Sequence, residues 1–149
     1  MYDERKQDLS VYYYLVDLLS DATFIKVVDG FPEETLEVPT ISVEASTIDS
    51  YQFEMGNKER LKNRMWYIDL FAVNKSQRDE LAYRVMNSLE DCIPVYDYDE
   101  GFPPLVSPTQ TGCLRVDDIQ LRIIRVFPEL TGSLYYRATV SFTAVYNKF

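Results

Sequence analysis

The chain contains no histidine, and that absence removes more chemistry than any residue present supplies. Serine or cysteine nucleophiles activated by an imidazole base are excluded, and no serine–lysine spacing stands out as a substitute. Zinc fares no better, because Cys92 and Cys113 alone leave the usual tetrahedral shell half empty. The five glycines are scattered and none falls at the offsets of a phosphate-cradling loop. No apolar run approaches the roughly 18–20 residues that span a bilayer. The opening Met1-Tyr2-Asp3-Glu4-Arg5-Lys6 lacks the basic-then-apolar order of a secretory signal. Together these absences predict a protein without catalytic residues, metal or cofactor, with no membrane partner, made and held in the cytoplasm.

What is present describes one globular domain over 1–149. A chain of 149 residues buries roughly 68–70% of its unfolded surface, so it needs neither disulfides nor metal to keep a core. The two cysteines are far apart in sequence; they could pair, but nothing else calls for a disulfide-dependent fold, and they are expected as buried free thiols. A net charge of −9 opposes tight binding of a nucleic-acid backbone, which needs clustered Lys and Arg. It suits simple solubility, and equally a channel wall that DNA slides past. Charge alone does not choose between them.

The first element reads as a helix. Leu9, Tyr12, Tyr13, Val16 and Leu19 keep one face, with Val11, Leu15 and Leu18 widening the stripe; Asp3 is placed to cap it, Glu4 suits its positive end, and Ser20-Asp21 ends it. Three consecutive tyrosines, Tyr12 to Tyr14, cover more than half the circumference, so their outer rings are expected to touch something besides the core or to keep wet hydroxyls. A strand is expected over Ala22–Val28, and another over Thr35–Ala45 with a phase break at Pro39 that marks an edge or bulge. Alternation resumes at Tyr51, Phe53 and Met55; Gly56-Asn57-Lys58-Glu59 reverses the chain, and the basic stretch from Arg60 returns it into Trp66–Val73. This predicts a long hairpin with a cationic arm. The following helix has capping-box spacing at Ser76 and Asp79 and an apolar face of Leu81, Ala82, Val85, Met86 and Leu89, and Pro94 stops it. Asp97 to Gly112 reads as a loop. A strand from Leu114 to Phe127 switches phase near Asp117-Asp118, which calls for a bulge, and Pro128 to Gly132 makes a turn. The last strand alternates most cleanly, with Tyr136, Ala138, Val140, Phe142, Ala144 and Tyr146 on one side. The sum is an α+β fold: a mostly antiparallel sheet with a long hairpin, packed on one face by two main helices.

One acidic constellation, Asp91, Asp97, Asp99 and Glu100, has the residue type for glycosidic acid–base work or for oxygen-ligated cations, but Asp97-x-Asp99-Glu100-Gly101 lacks the further acids of a calcium loop. Tyr96, Tyr98 and Phe102 sit among these acids, which suits protein contact rather than stacking with nucleic-acid bases. The basic arm Lys58, Arg60, Lys62 and Arg64, with Phe53 on the outgoing strand, is its natural opposite. An arm of one subunit reaching the acidic loop of the next would make a head-to-tail contact, the kind that closes into rings.

Four segments, Tyr51-Gln52-Phe53-Glu54-Met55-Gly56, Trp66-Tyr67-Ile68-Asp69-Leu70-Phe71-Ala72, Gln77-Arg78-Asp79-Glu80-Leu81 and Ile93 through Pro103, resemble the small neck proteins of tailed bacteriophages, and above all the tail terminator or tail-completion family. The likeness is best over 35–104; the final strands fit the same general pattern. It implies a non-enzymatic α+β subunit of the virion neck, assembled in the host cytoplasm. Such subunits commonly form six-membered rings that cap the tail tube, end its polymerisation and meet the head connector, while DNA passes through the lumen. Its partners would be copies of itself, the tail tube protein and the head connector. A head–tail adaptor or tail-tube subunit is the neighbouring alternative. A small binding module, an assembly chaperone, or an enzyme using the Asp97–Glu100 carboxylates would be alternatives of other classes.

Overall fold

The strand with the cleanest alternation sits inside a six-stranded sheet. The computed structural model describes residues 1–22, 25–30, 39–52, 60–89, 92–125 and 136–149. In chain order these form α1 (Asp3–Leu18), β1 (Lys26–Asp29), β2 (Thr40–Gln52), β3 (Arg60–Ala72), α2 (Lys75–Ser88), β4 (Cys92–Tyr96), a 3-10 turn (Tyr98–Glu100), β5 (Gln110–Arg125) and β6 (Tyr136–Lys148). The strands lie in the order β1-β2-β3-β6-β5-β4. All neighbouring pairs are antiparallel except β1 with β2, which run parallel. The α+β class is as expected.

Alternation decides what the sheet buries. Ala138, Val140, Phe142 and Ala144 of β6 are buried, and so are their β3 neighbours Trp66, Ile68 and Leu70. Val11, Leu15 and Leu19 at α1 and Leu81, Ala82, Val85 and Leu89 at α2 join them in one core cluster. Trp66 and Phe142 stack with ring centres 5.3 Å apart, at the middle of that cluster. The phase switch in β5 is a bulge between Val116 and Asp118, as the sequence requires. It keeps Val116, Ile119 and Leu121 packed against the core on both sides of the irregularity.

Several expectations are corrected. Asp3 is the first helical residue of α1 rather than its cap; Tyr2 holds the cap position and offers no side-chain bond, so at this helix end Asp3 and Glu4 favour the dipole without capping it. The cap of α2 lies two residues before Ser76. Asn74 Oδ1 accepts from Gln77 N at 2.8 Å, and Gln77 Oε1 accepts from Val73 N at 2.8 Å. This is the reciprocal logic of a capping box, built from amides. Pro94 does more than stop a helix: it lies in β4, at the sheet edge, where a missing N–H costs no ladder bond. β1 is shorter than Ala22–Val28, and its parallel pairing could not be read from local pattern. β2 starts after Pro39 and continues across a bulge between Ala45 and Ile48. The cysteines are free but not buried, Cys92 being exposed and Cys113 half-buried. Leu36, Val38, Met55, the Gly56–Glu59 reversal, Asp91, Phe127 and the Pro128–Gly132 turn lie outside the described residues.

The sheet curls so that α1 touches both of its edges. α1 contacts β1 and β2 near one edge and β4 at the other. Arg84 of α2 adds a tie to the end of α1, donating to Leu18 O at 2.6 Å and to Asp21 Oδ1 at 2.7 Å.

Candidate interaction surface

The cationic arm is a continuation of the core strand. In β3 the alternation that turns Leu70, Ile68 and Trp66 inward also turns Arg64 and Lys62 to that side, beyond the end of the apolar cluster. There they meet α1. Arg64 Nη1 donates to Gln7 Oε1 at 3.0 Å and to Glu4 O at 2.9 Å, and Nη2 lies 2.9 Å from Asp8 Oδ1. Its guanidinium sits 4.6 Å from the Trp66 ring centre, and Trp66 Nε1 donates to Asp8 Oδ1 at 3.1 Å. Lys62 pairs with Glu4. The match has a simple metric cause. Residues i and i+4 on a helix are about 6 Å apart, and i and i+2 on a strand about 6.8 Å. Glu4 and Asp8 therefore face Lys62 and Arg64 in step. That spacing is the sequence signal for Glu4 and Asp8, which the sequence reading did not place in the site.

Burial pushes the Asp8 carboxyl above its ordinary range, against the pull of Arg64 and the Trp66 hydrogen bond. Glu4 is held below its ordinary range, first by the Lys62 hydrogen bond.

The acidic, aromatic loop is anchored on the same helix. Tyr96 N donates to Ser10 Oγ at 3.2 Å, and Ser10 Oγ donates to Lys6 O at 2.7 Å. Lys6 Nζ bridges Asp97 Oδ1 at 2.9 Å and Asp99 Oδ2 at 2.8 Å. That amine holds both carboxyls below the ordinary range, the main cause in each case. Asp97 Oδ1 also accepts from Asp99 N at 3.1 Å, which opens the 3-10 turn. Tyr98 is buried, stacked between Tyr13 at 5.5 Å and Phe102 at 5.9 Å, with Tyr96 edge-on at 6.4 Å. Burial pushes its hydroxyl up to about 12. The outer tyrosine ring of α1 that touches something besides the core is thus Tyr13, while Tyr12 and Tyr14 pack against the core cluster.

Glu100 Oε2 accepts from Thr109 N at 2.9 Å and Thr109 Oγ1 at 3.1 Å, closing the loop on itself. Gly101 has φ +137°, and a Cβ there would stand 2.6 Å from Val106 Cγ2. Only glycine allows that turn. The result is a fixed tip whose apolar side chains point outward: Phe102 is 46% exposed, Leu105 94% and Val106 36%. Beside it a cleft of about 240 Å³ is lined by Tyr13, Tyr96, Tyr98, Pro103, Pro104 and Val106, among others.

The residues singled out from sequence therefore divide. Tyr96, Asp97, Tyr98, Asp99, Glu100 and Phe102 come together in one loop; Lys62 and Arg64 lie on the other side of α1. Arg60 begins β3, while Phe53 and Lys58 lie outside the described residues. Asp97 and Asp99 do not meet Lys62 and Arg64; α1 pairs the two acids through Lys6 and the two bases through Glu4 and Asp8, within the same chain. No group of three or more Cys, Asp or Glu able to hold a metal ion occurs among the described residues, and none of their helices is long and apolar enough to cross a membrane. Neither models of known protein families nor curated proteins match the chain.

Proposed function

We propose that this chain is a non-enzymatic, ring-forming neck subunit of the tail terminator type, which caps a tail tube and joins it to a head connector with DNA passing through the lumen. The observation that carries the reading is the fixed apolar tip Phe102–Val106, exposed on a loop whose charged residues are already satisfied within the chain. A monomer gains nothing from holding Leu105 almost wholly in water; a subunit that docks there on a neighbour does. In this reading both helices cover one face of the sheet, and the β2–β3 hairpin extends toward an adjacent subunit or the tube. The likeness of the Tyr51–Gly56, Trp66–Ala72, Gln77–Leu81 and Ile93–Pro103 segments to phage neck proteins supplies the identity of the assembly. The acidic surplus suits a lumen that DNA must slide past.

Native mass spectrometry of the chain, alone and with tail tubes, tests the proposal. A closed ring, expected with six copies, that is lost in Leu105→Asp without loss of folding supports it. Monomers only, even with tubes present, would sink it. Binding to connector rings but not to tube ends would instead assign the adaptor role.

A further inference from the structure

Cys92 and Cys113 are 21 positions apart in sequence, yet their Sγ atoms stand 2.7 Å apart. The register explains the approach. Cys92 lies opposite Arg115 and Pro94 opposite Cys113, so the two cysteines are diagonal neighbours on one face of the β4–β5 pair. Ile93, Val95 and Leu114, which alternate with them, fill the core, and the sulfurs therefore lie on the other side of the sheet. Cys92 is exposed there, with Cys113 half-buried beside it, and both are free thiols. Burial and the neighbouring Cys92 sulfur push the Cys113 thiol up to about 11, so it keeps its proton at neutral pH. An incoming reagent thus meets Cys92 first.

We propose that Cys92 and Cys113 are a reversible dithiol–disulfide site, oxidised by a small disulfide of the glutathione class, and that oxidation staples the base of the loop carrying the Phe102–Val106 tip. The Cys92 thiolate attacks one sulfur of oxidised glutathione, forming a mixed disulfide and releasing one glutathione thiolate. Cys113 then gives up its proton and attacks Cys92 Sγ. The Cys92–Cys113 bond forms, the mixed disulfide breaks, and a second glutathione thiolate leaves. The protein loses two electrons and two protons; the small disulfide gains both and ends as two thiols. The crosslink spans the whole 97–109 segment, so the loop closes on a covalent base. The disulfide itself does not depend on the ring proposal; only its bearing on docking rests on that reading.

The reduced full chain, incubated with oxidised glutathione, is expected to lose two hydrogens in intact mass. Its non-reducing peptide map should give one Cys92–Cys113 linked peptide, reversed by dithiothreitol. Cys113→Ser should stop at a stable mixed disulfide, gaining one glutathione on Cys92. Unmodified thiols, glutathione retained on the wild type, or disulfides between chains would each overturn the site. Limited proteolysis within 97–109 should slow several-fold on oxidation, and equal cleavage would overturn the stapling. A wild-type chain that stays monomeric even with tail tubes present, yet forms the disulfide normally, would fail the ring reading and leave the thiol site standing.

Discussion

Arg5 and Lys6 are neighbours in sequence and bind opposite edges of the sheet. Arg5 Nη2 lies 2.8 Å from Asp29 Oδ2 at the end of β1, while Lys6 Nζ reaches Asp97 and Asp99 just beyond β4. Successive helix residues diverge by about 100°, so this is possible only because the sheet curls until both edges flank α1. The helix closes the gap between them.

Lys6→Met should therefore loosen one edge and not the other. Asp99 is half in water, so solvent screens the pair and the loss of overall stability is expected to be small. Amide exchange at 97–101 should quicken in this variant, while β1 stays protected. Hydrogen exchange by mass spectrometry would detect a uniform change instead, which would count against the separate-edge picture.

Acid should weaken the same contact. The folded pKa values of Asp97, Asp99 and Glu4 lie below their unfolded ones, so their contribution is present at neutral pH and is lost as pH falls below about 4. Asp8 has the opposite sign: its raised pKa favours the protonated fold and offsets part of the acid loss. Lys6, raised in the fold, loses its contribution only as pH climbs beyond the ordinary lysine range, above about 10. Melting temperature against pH should fall at both ends, and Asp97→Asn with Asp99→Asn should flatten the acid limb.

Arg64 offers a sharper test of the α1–β3 seam. Its side chain is only 4% exposed, and Asp8 keeps a wet edge at 21%. Arg64→Met strands that carboxylate against Trp66, at a cost of about 3 kcal/mol, the lower end for breaking a buried pair. Arg64→Met with Asp8→Leu should recover most of it. Urea unfolding followed by the fluorescence of Trp66, the chain's one tryptophan, measures both.

The true cap of α2 can be found by substitution. Asn74→Ala should cost about 1 kcal/mol, and Ser76→Ala close to nothing. Equal losses in chemical denaturation would return the cap to Ser76.

These contacts mark the boundary of what the sequence discloses. Periodicity is local, so the faces of α2 and β6 and the β5 bulge were legible from spacing alone, whereas the core side of α1 centres on Val11, Leu15 and Leu19 rather than on Tyr13 and Val16. β4 was not, because five residues around a proline carry too short a pattern and only the pairing with β5 makes them a strand. The site shows the same limit. Its acids, tyrosines and bases stood out by composition, but opposite charges in a sequence do not say which of them meet. Lys6 took Asp97 and Asp99 while Glu4 and Asp8 took Lys62 and Arg64, and the spacing that allowed this becomes visible only once α1 lies across the sheet.

The β5 bulge also bears on how the chain tolerates changes in length. Val116 pairs with Ala144 and Asp118 with Thr143, the very next residue, so Asp117 has no place in the ladder. Without it, Leu114, Val116, Ile119, Leu121 and Ile123 would form one unbroken alternation. A codon lost there leaves every inward side chain inward; one lost at Gln120 turns the remainder of the strand inside out. Within a strand that otherwise admits no slippage, a single position is free to come and go.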